Sequence, residues 1–485
     1  MEYIFTYPKE KLDNSGGVPD SKDLMQLINK HKSVIVPGIV NLINYYMGEH
    51  AIQNSERPVS GGPNSKPVSN HAKDIADTAS GYFMGSPISW KSKSNADISP
   101  LVEAFDHATV DDTDQENALW LSICGRAYEY VYQELDEVAL LTKSLDPRNA
   151  FIVCDQSIEH KELFGVYYYQ KKDDSGDSDD VTTYITVSTE TSKYEYEVKG
   201  ESSAPPVSNE QNVLGYIQII EYKNNKFCIG DYEQQIGLID AYNVLMADRV
   251  NDKQQFVDAI LVIYGALLGG DSESTDEALD ELKKKKLLEL DNDARAEYLT
   301  STLDEAGAET LRKAIQEDIY TFSHVPNLQD EHFAGNSSGV AMEYKLLGLE
   351  MLTKIKERWY RKAMRKRLRI FIGFLGYRQI NIDETDLEAK FSRGLPKNLV
   401  EIAQMISNLS GKVSLKTLLT QIPFVEDPEA EVALLNQEQE EAVMRQQQLF
   451  AAQQQVFDAT ANTPPEKKND EEEEKKKPGD EVDDE

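Results

Sequence analysis

Four carboxylates stand close together ahead of a helical pattern, at Asp111, Asp112, Asp114 and Glu116. Carboxylates are the groups with which two-metal enzymes hold Mg²⁺ for phosphoryl transfer. Such sites usually collect their ligands from several separate segments, whereas acids before a helix are a common response to the helix dipole. We therefore expect a charge bias at a helix start and keep a metal-dependent phosphoryl-transfer enzyme as the alternative hypothesis.

Other residues capable of chemistry give no catalytic pattern. Cys124, Cys154 and Cys228 are far apart and odd in number, as is typical of reduced thiols in a cytosolic chain. His324 and His332 do not match a metal-ligand spacing, and the sequence contains neither a P-loop nor a dinucleotide-binding glycine motif. The sequence therefore predicts no catalytic residue, no metal, no cofactor and no enzymatic activity.

The densest basic segment is KIKERWYRKAMRKRLRIF, residues 354–371, with nine basic side chains and one acid. At about 100° per residue, six of these cations share one helix face about 100° wide. The six are Lys354, Arg358, Arg361, Lys362, Arg365 and Arg369. Apolar residues flank this basic stripe on both sides, so the helix needs two sets of neighbours. The stripe either pairs with acids elsewhere in the same assembly or contacts phosphates directly.

The chain as a whole is strongly acidic, with 51 Lys+Arg against 85 Asp+Glu and a formal charge of −34. Such a surface repels duplex phosphates, so any contact with nucleic acid must be local or weak. The longest apolar stretch, AILVIYGALLGG from Ala259, is shorter than the roughly 20 residues of a membrane helix. We therefore predict no contact with a membrane.

A chain of 485 residues exceeds the usual size of one hydrophobic core. Helical spacing predicts helices over residues 21–31, 114–137, 238–267, 308–322 and 341–376, with more helices from residue 397 onward. Between Asn149 and Tyr232, six β-branched and aromatic runs predict a mostly antiparallel sheet. Those runs are AFIVC, FGVYYYQ, VTTYITVST, KYEYEVK, GYIQIIEY and KFCIG. The expected fold class is therefore α+β.

Three long segments of this sequence resemble the portal proteins of long-tailed bacteriophages. They are LIDAYNVLMADRVNDKQQFVDAILVIYG from Leu238, GNSSGVAMEYKLLGLEMLTKIKERWYRKAMRKRL from Gly335, and FSRGLPKNLVEIAQMISNLSGKVSLKTLLTQIPFVEDPEAEVALLNQEQEE from Phe391. GRAYEYVYQELDE followed by LDPRNAFIVCDQSI fits the same pattern, and the similarity runs through about residues 20–445 in the family's order.

The resemblance implies a portal fold, a ring-forming subunit with a β-rich wing, a two-helix stem, a clip, a tunnel loop with a long helix, and a helical crown. It divides the chain as follows: 1–40 N-terminal arm, 41–237 wing, 238–265 first stem helix, 266–307 clip, 308–325 second stem helix, 326–340 tunnel loop, 341–395 long wing helix and strand, 396–461 crown, and 462–485 acidic tail, expected to be disordered.

The resemblance also implies a function and sites. The protein would form a ring of typically twelve subunits at one capsid vertex, nucleate capsid assembly, and pass double-stranded DNA in packaging and ejection. Its partners would be the terminase large subunit, the head-tail adaptor, and the major capsid and scaffolding proteins, in a virion assembled from chains made in the bacterial cytoplasm. Channel residues would be Asn327, Gln329, Asp330, Asn336, Ser337 and Ser338. Docking residues on the clip would be Asp276, Glu277, Asp280, Lys283 and Lys284.

Overall fold

A computed structural model describes most of the chain. The described residues are 4–56, 63–134, 138–172, 181–199, 204–256, 260–264, 295–299, 305–328, 339–393, 399–422, 425 and 428–461. The chain forms two compact units, residues 1–395 and 396–485. The predicted tunnel-loop residues other than Asn327, all five predicted clip residues and the acidic tail lie outside the described residues.

The described strands of the first unit form four sheets. The strands are β1 (Phe5–Thr6), β2 (Ser89–Ser92), β3 (Arg126–Glu134), β4 (Ala139–Leu145), β5 (Ala150–Cys154), β6 (Glu162–Lys172), β7 (Val181–Ser188), β8 (Ser192–Lys199), β9 (Ser208–Gln211), β10 (Ile219–Lys223), β11 (Ile260–Tyr264), β12 (Arg295–Leu299) and β13 (Leu387–Lys390). The largest sheet has the order β1-β5-β6-β7-β8-β9, and a second has the order β10-β3-β4. Two pairs, β11-β12 and β13-β2, complete the set.

The helices of the two units are numbered in chain order. They are α1 (Lys9–Asn14), α2 (Ser21–Val34), α3 (Val36–Met47), α4 (His71–Met84), α5 (Ser99–His107), α6 (Val110–Cys124), α7 (Ile236–Phe256), α8 (Glu305–Ser323), α9 (Gly339–Tyr377), α10 (Leu399–Leu409), α11 (Leu415–Leu419) and α12 (Pro428–Ala461). The α+β fold class is confirmed, as are the helices predicted near residues 21–31, 308–322 and 341–376 and beyond residue 397. None of the described helices is long and apolar enough to cross a membrane.

The two large sheets pack face to face across a small apolar layer. Tyr128 and Ile219 from the three-stranded sheet meet Ala150 and Ile152 from the six-stranded sheet. Gly165 permits this close approach, because a Cβ atom there would lie 2.6 Å from the Cβ of Ile219. The opposite face of the six-stranded sheet packs into a separate hydrophobic core.

The N-terminal segment belongs to that separate core. Strand β1 pairs in parallel with β5, and Leu24 and Ile28 of α2 are fully buried against the sheet. The ring of His31 lies among Phe5 and Phe151. From Ile4 onward the segment is therefore part of the folded body, since its apolar side chains cover one face of the sheet.

The predicted helix over residues 114–137 is wrong in its second half. Helix α6 ends at Cys124, and β3 begins at Arg126. Gly125 between them has a φ of +73°, the left-handed conformation that commonly ends helices at glycine. The following RAYEYVYQE run is aromatic and β-branched, which favours a strand over the helical spacing that it also satisfies.

Two further segments differ from expectation. Helix α7 ends at Phe256, and Ile260–Tyr264 form a strand paired with Arg295–Leu299, so the helix predicted over 238–267 is too long. The run ILVIY is short, apolar and β-branched, and periodicity alone cannot separate such a strand from a helix.

The KFCIG run, predicted as a strand, is not one. The side-chain oxygen of Asn225 accepts hydrogen bonds from the backbone N–H groups of Phe227 and Ile229, which holds this segment in a turn.

We predict that Gly125→Ala destabilises the fold more than an equivalent change at an open glycine. A Cβ at Gly125 would lie 2.2 Å from the carbonyl oxygen of Cys228, in addition to the strain of a non-glycine residue at positive φ, about 1–3 kcal/mol. Gly215→Ala is the matched control, because its φ is +70° and nothing lies within 4 Å of an added Cβ. Equal melting temperatures for the two variants would contradict the prediction.

Candidate functional site: the long helix

The long helix α9 is the element that carries the predicted basic stripe. It has 39 residues, which corresponds to about 58 Å. Its second half packs Tyr360, Met364, Leu368 and Phe371 into the core shared with α5, α6 and the three-stranded sheet. Its first half adds Leu346 and Leu349 to the core formed with α3, α4 and α7. The helix therefore joins two cores, and its orientation about its own axis is set by both.

A buried ionic network fixes the second half of this helix. The side chains of Arg367, Asp114 and Glu129 are 0%, 3% and 0% exposed. Nε of Arg367 donates to Oε1 and Oε2 of Glu129 at 2.8 and 3.0 Å, and Nη2 donates to Asp114 and again to Glu129. Such burial of charge is tolerated only where the partners satisfy each other.

Two tyrosines complete the network, since one guanidinium faces two carboxylates. The hydroxyl of Tyr360 donates to Asp114, and that of Tyr222 donates to Glu129, each at 2.5 Å. Burial raises the pKa of both phenols well above its ordinary value, so both remain protonated donors. Burial alone lowers the pKa of Arg367, but the two carboxylates reverse this and the net direction is upward.

A second buried cation, Lys356, anchors the same helix at a position before Arg367 in the chain. Lys356 is 4% exposed, and its Nζ donates to Oγ of Ser122 at 3.0 Å and pairs with Asp231. At about 100° per residue, Lys356 and Arg367 both lie on the side of α9 opposite the basic stripe. Neither residue was predicted from the sequence, although a Lys and an Arg on the otherwise apolar side of a helix indicate buried ion pairs.

The alternative hypothesis of a carboxylate metal site fails at Asp114. That side chain points inward and is bound by Arg367 and Tyr360, whereas Asp111, Asp112 and Glu116 are exposed on the same helix. Among the described residues, no group of three or more His, Cys, Asp or Glu side chains is placed to hold a metal ion. The charge bias expected at the helix start is present at Asp111 and Asp112.

Five of the six predicted cations of the basic stripe are exposed, and Arg361 is partly buried. Lys354 lies 3.6 Å from Glu350, and Arg369 lies 2.9 Å from Glu384. Arg361 pairs with Glu357 and lies over the ring of Phe391. Part of the stripe is therefore neutralised within the subunit, and these exposed pairs each contribute little to stability.

Arg358 and Arg365 differ from the other members of the stripe. Both are exposed, and neither forms an ion pair with any residue in the described parts of the chain. The ammonium group of Lys362 lies 5.5 Å from the ring centroid of Trp359 and likewise has no ion-pair partner there. Within the stripe, these three cations are therefore available to another molecule as far as the described parts of the chain extend.

A cavity of about 260 Å³ lies beside this helix, between Trp359, Lys366, strand β1 and the two large sheets. Its charges are largely paired, because Lys366 binds Glu162 and Tyr128 donates to Glu221. Cys154 also lines it, and burial raises the pKa of this thiol to about 12. A thiol that stays protonated at neutral pH is a poor nucleophile, so the cavity gives no support to catalysis.

We predict that Arg367→Met destabilises the protein by about 3–5 kcal/mol, because it leaves two buried carboxylates without their cation. The triple variant Arg367→Met, Asp114→Asn, Glu129→Gln should recover most of this loss, since no buried charge remains in this network. Lys161→Met, at an exposed position away from α9, is the control and should change stability by less than about 0.5 kcal/mol. Chemical denaturation measures all three, and an Arg367→Met protein as stable as the control would refute the assignment.

Comparison with known proteins places this architecture in a family. The model of the phage portal protein family, SPP1 Gp6-like, matches residues 26–444. The chain is 24% identical over 450 residues to the portal protein of Bacillus phage SPP1, covering 87% of this chain and 86% of that protein. It is 21% identical over 409 residues to the portal protein of Clostridium phage phiCD119, covering 81% and 87%.

A solved structure described as the neck of a native GTA particle aligns with 79% of this chain and 92% of its own, at a TM-score of 0.48 and 9% identity. The family match spans both the long helix with its buried network and the segments on either side of it. The resemblance noted in the sequence is therefore confirmed, and the chain belongs to the SPP1 Gp6-like family of phage portal proteins.

Proposed function

We propose that about twelve copies of this chain close into a ring at one vertex of a phage capsid. The ring serves as the conduit for double-stranded DNA during packaging and ejection and as the nucleus of capsid assembly. The observation that carries the proposal is the family match over residues 26–444. The protein is then a component of the virion, made in the cytoplasm of the bacterial host.

Within this proposal, α7 and α8 form the stem. Arg249 of α7 pairs with Glu305 and Glu309 of α8, and Arg312 of α8 donates to the hydroxyl of Tyr242 at 3.0 Å. Strand β11 follows α7 in the chain and pairs with β12, which lies within residues 266–307, the segment that would form the clip. The clip would dock the terminase large subunit and later the head-tail adaptor, through Asp276, Glu277, Asp280, Lys283 and Lys284.

The acidity of the chain suits a passage rather than a binding site. A charge of −34 per chain gives about −400 for twelve copies, which disfavours adhesion of DNA to the walls. The loop of residues 326–340, with Asn327, Gln329, Asp330, Asn336, Ser337 and Ser338, would line the narrowest point. The protein transports DNA without catalysing a reaction, and the energy for packaging comes from the separate terminase.

The basic stripe has two possible partners in such a ring. Arg358, Lys362 and Arg365 have no ion-pair partner within the described subunit, and the neighbouring subunits are strongly acidic. We assign the stripe mainly to neutralising acids between neighbours, with a minor share in contact with DNA. The remaining partners, the major capsid and scaffolding proteins, would meet other surfaces of the ring.

The ring itself is tested by the native mass of the purified full-length protein. We expect native mass spectrometry to give about twelve times the chain mass of 54.7 kDa, and negative-stain images to show a closed ring with a central hole. A protein that remains monomeric at high concentration and low salt would contradict the proposal.

The assignment of the basic stripe is tested by Arg358→Gln, Arg361→Gln and Arg365→Gln combined. We expect the ring to dissociate at lower salt and lower temperature, because interfacial charge pairs are lost. The control is Lys9→Gln, Lys161→Gln and Lys226→Gln, which removes the same charge from exposed positions off the helix. If the two triple variants form equally stable rings, the stripe does not act between subunits.

A further inference from the structure

The first half of the long helix exposes four large apolar side chains. Tyr344 is 74% exposed, Leu347 52%, Met351 61% and Ile355 45%. Their spacing of three and four residues places them on one side of the helix. Leu346 and Leu349 between them are buried at 4% and 3%, so this half of the helix is well packed on its other side. A row of this kind on a folded surface marks an interaction site.

This apolar row and the basic stripe lie on the same side of the helix. At about 100° per residue, Leu347 and Met351 point in the directions of Arg365 and Arg369. The two rows together extend from Tyr344 to Arg369, about 38 Å along the axis. We call this surface the outer face of α9. Its position is fixed, because Lys356 and Arg367 are bound on the opposite side.

We propose that the outer face of α9 is a subunit interface, covered over most of its length by a different surface of a second copy of this chain. The inference rests on the proposed ring and names the face that closes it. The apolar half would be buried against the neighbour, and the basic half would pair with the neighbour's acids.

Charge identifies a second copy as the occupant. Outside residues 354–371 the chain has 42 basic and 84 acidic side chains, so the surface of another copy complements the basic half. The phosphates of DNA would also bind the basic half, but they form no favourable contact with the apolar side chains of Tyr344, Leu347, Met351 and Ile355. A protein surface that is acidic and partly apolar matches both halves of the face.

The same charges decide the symmetry of the contact. If two outer faces met with their helices parallel, Arg358, Lys362 and Arg365 of one copy would face the same cations of the other, which is unfavourable. If the helices were antiparallel, these cations would lie against the partner's apolar row and would still have no acids to pair with. We therefore expect the face to meet a different surface, and such a head-to-tail contact gives a closed ring, not a twofold dimer, where its rotation closes.

Site-specific photo-crosslinking of the full-length protein tests the contact directly. A benzophenone amino acid placed at Met351 should give a species of twice the chain mass, with the crosslinked peptide outside residues 339–377 of the second copy. The same probe at Ile158, which is 99% exposed on a turn, controls for chance collisions. No interchain product above this control, a product joining Met351 to another α9, or a product formed instead with added duplex DNA would each overturn the proposal.

Substitutions separate this inference from the proposed ring. Leu347→Glu with Met351→Glu should shift the protein from rings to smaller species, at an unchanged melting temperature of the subunit. Ile158→Glu with Val207→Glu is the matched control, because both residues are exposed and apolar and lie off the helix. If wild type forms rings and both pairs leave them intact, the interface assignment is wrong and the ring stands. If wild type forms no ring, the proposed function fails as well.

Discussion

The burial of Arg367 between Asp114 and Glu129 is the constraint on which the rest of this structure depends. A guanidinium with no exposed surface must have its carboxylates in place, because an unpaired buried charge is costly. Asp114 comes from α6 and Glu129 from β3, so this single contact ties the long helix to both elements that flank Gly125. The rotation of α9, the helix-to-strand change at Gly125 and the packing of the three-stranded sheet are consequently set together.

That constraint gives the long helix two unlike sides. The inner side carries Lys356 and Arg367, each bound to acids of the same subunit. The outer face keeps four apolar side chains and several cations in solvent. A helix held rigidly on one side can present its other side in a defined direction, which is what a repeating assembly needs from each of its subunits. In this family of phage portal proteins, the buried ion pairs on the inner side of α9 would therefore set the direction in which its outer face meets a neighbouring subunit.

The sequence predicted long periodic elements better than their ends. The 39-residue helix was predicted within two residues, because its apolar flanks persist over ten turns. The ends of α6 and α7 were missed, since RAYEYVYQE and ILVIY satisfy helical spacing while favouring strands. The burial and ion pairing of Arg367 were not predicted from the sequence, because its partners lie 238 and 253 residues away in the chain. Pairing over such separations follows from tertiary contact and not from spacing.

A side-chain-resolution electron cryomicroscopy map of the assembled full-length protein would test the role of α9 most directly. We expect Arg367 to be enclosed by Asp114 and Glu129 within each subunit, and Met351 and Arg365 to contact the neighbouring copy. A map in which the outer face of α9 lies open to the channel or to solvent, while the ring is held together elsewhere, would contradict this expectation.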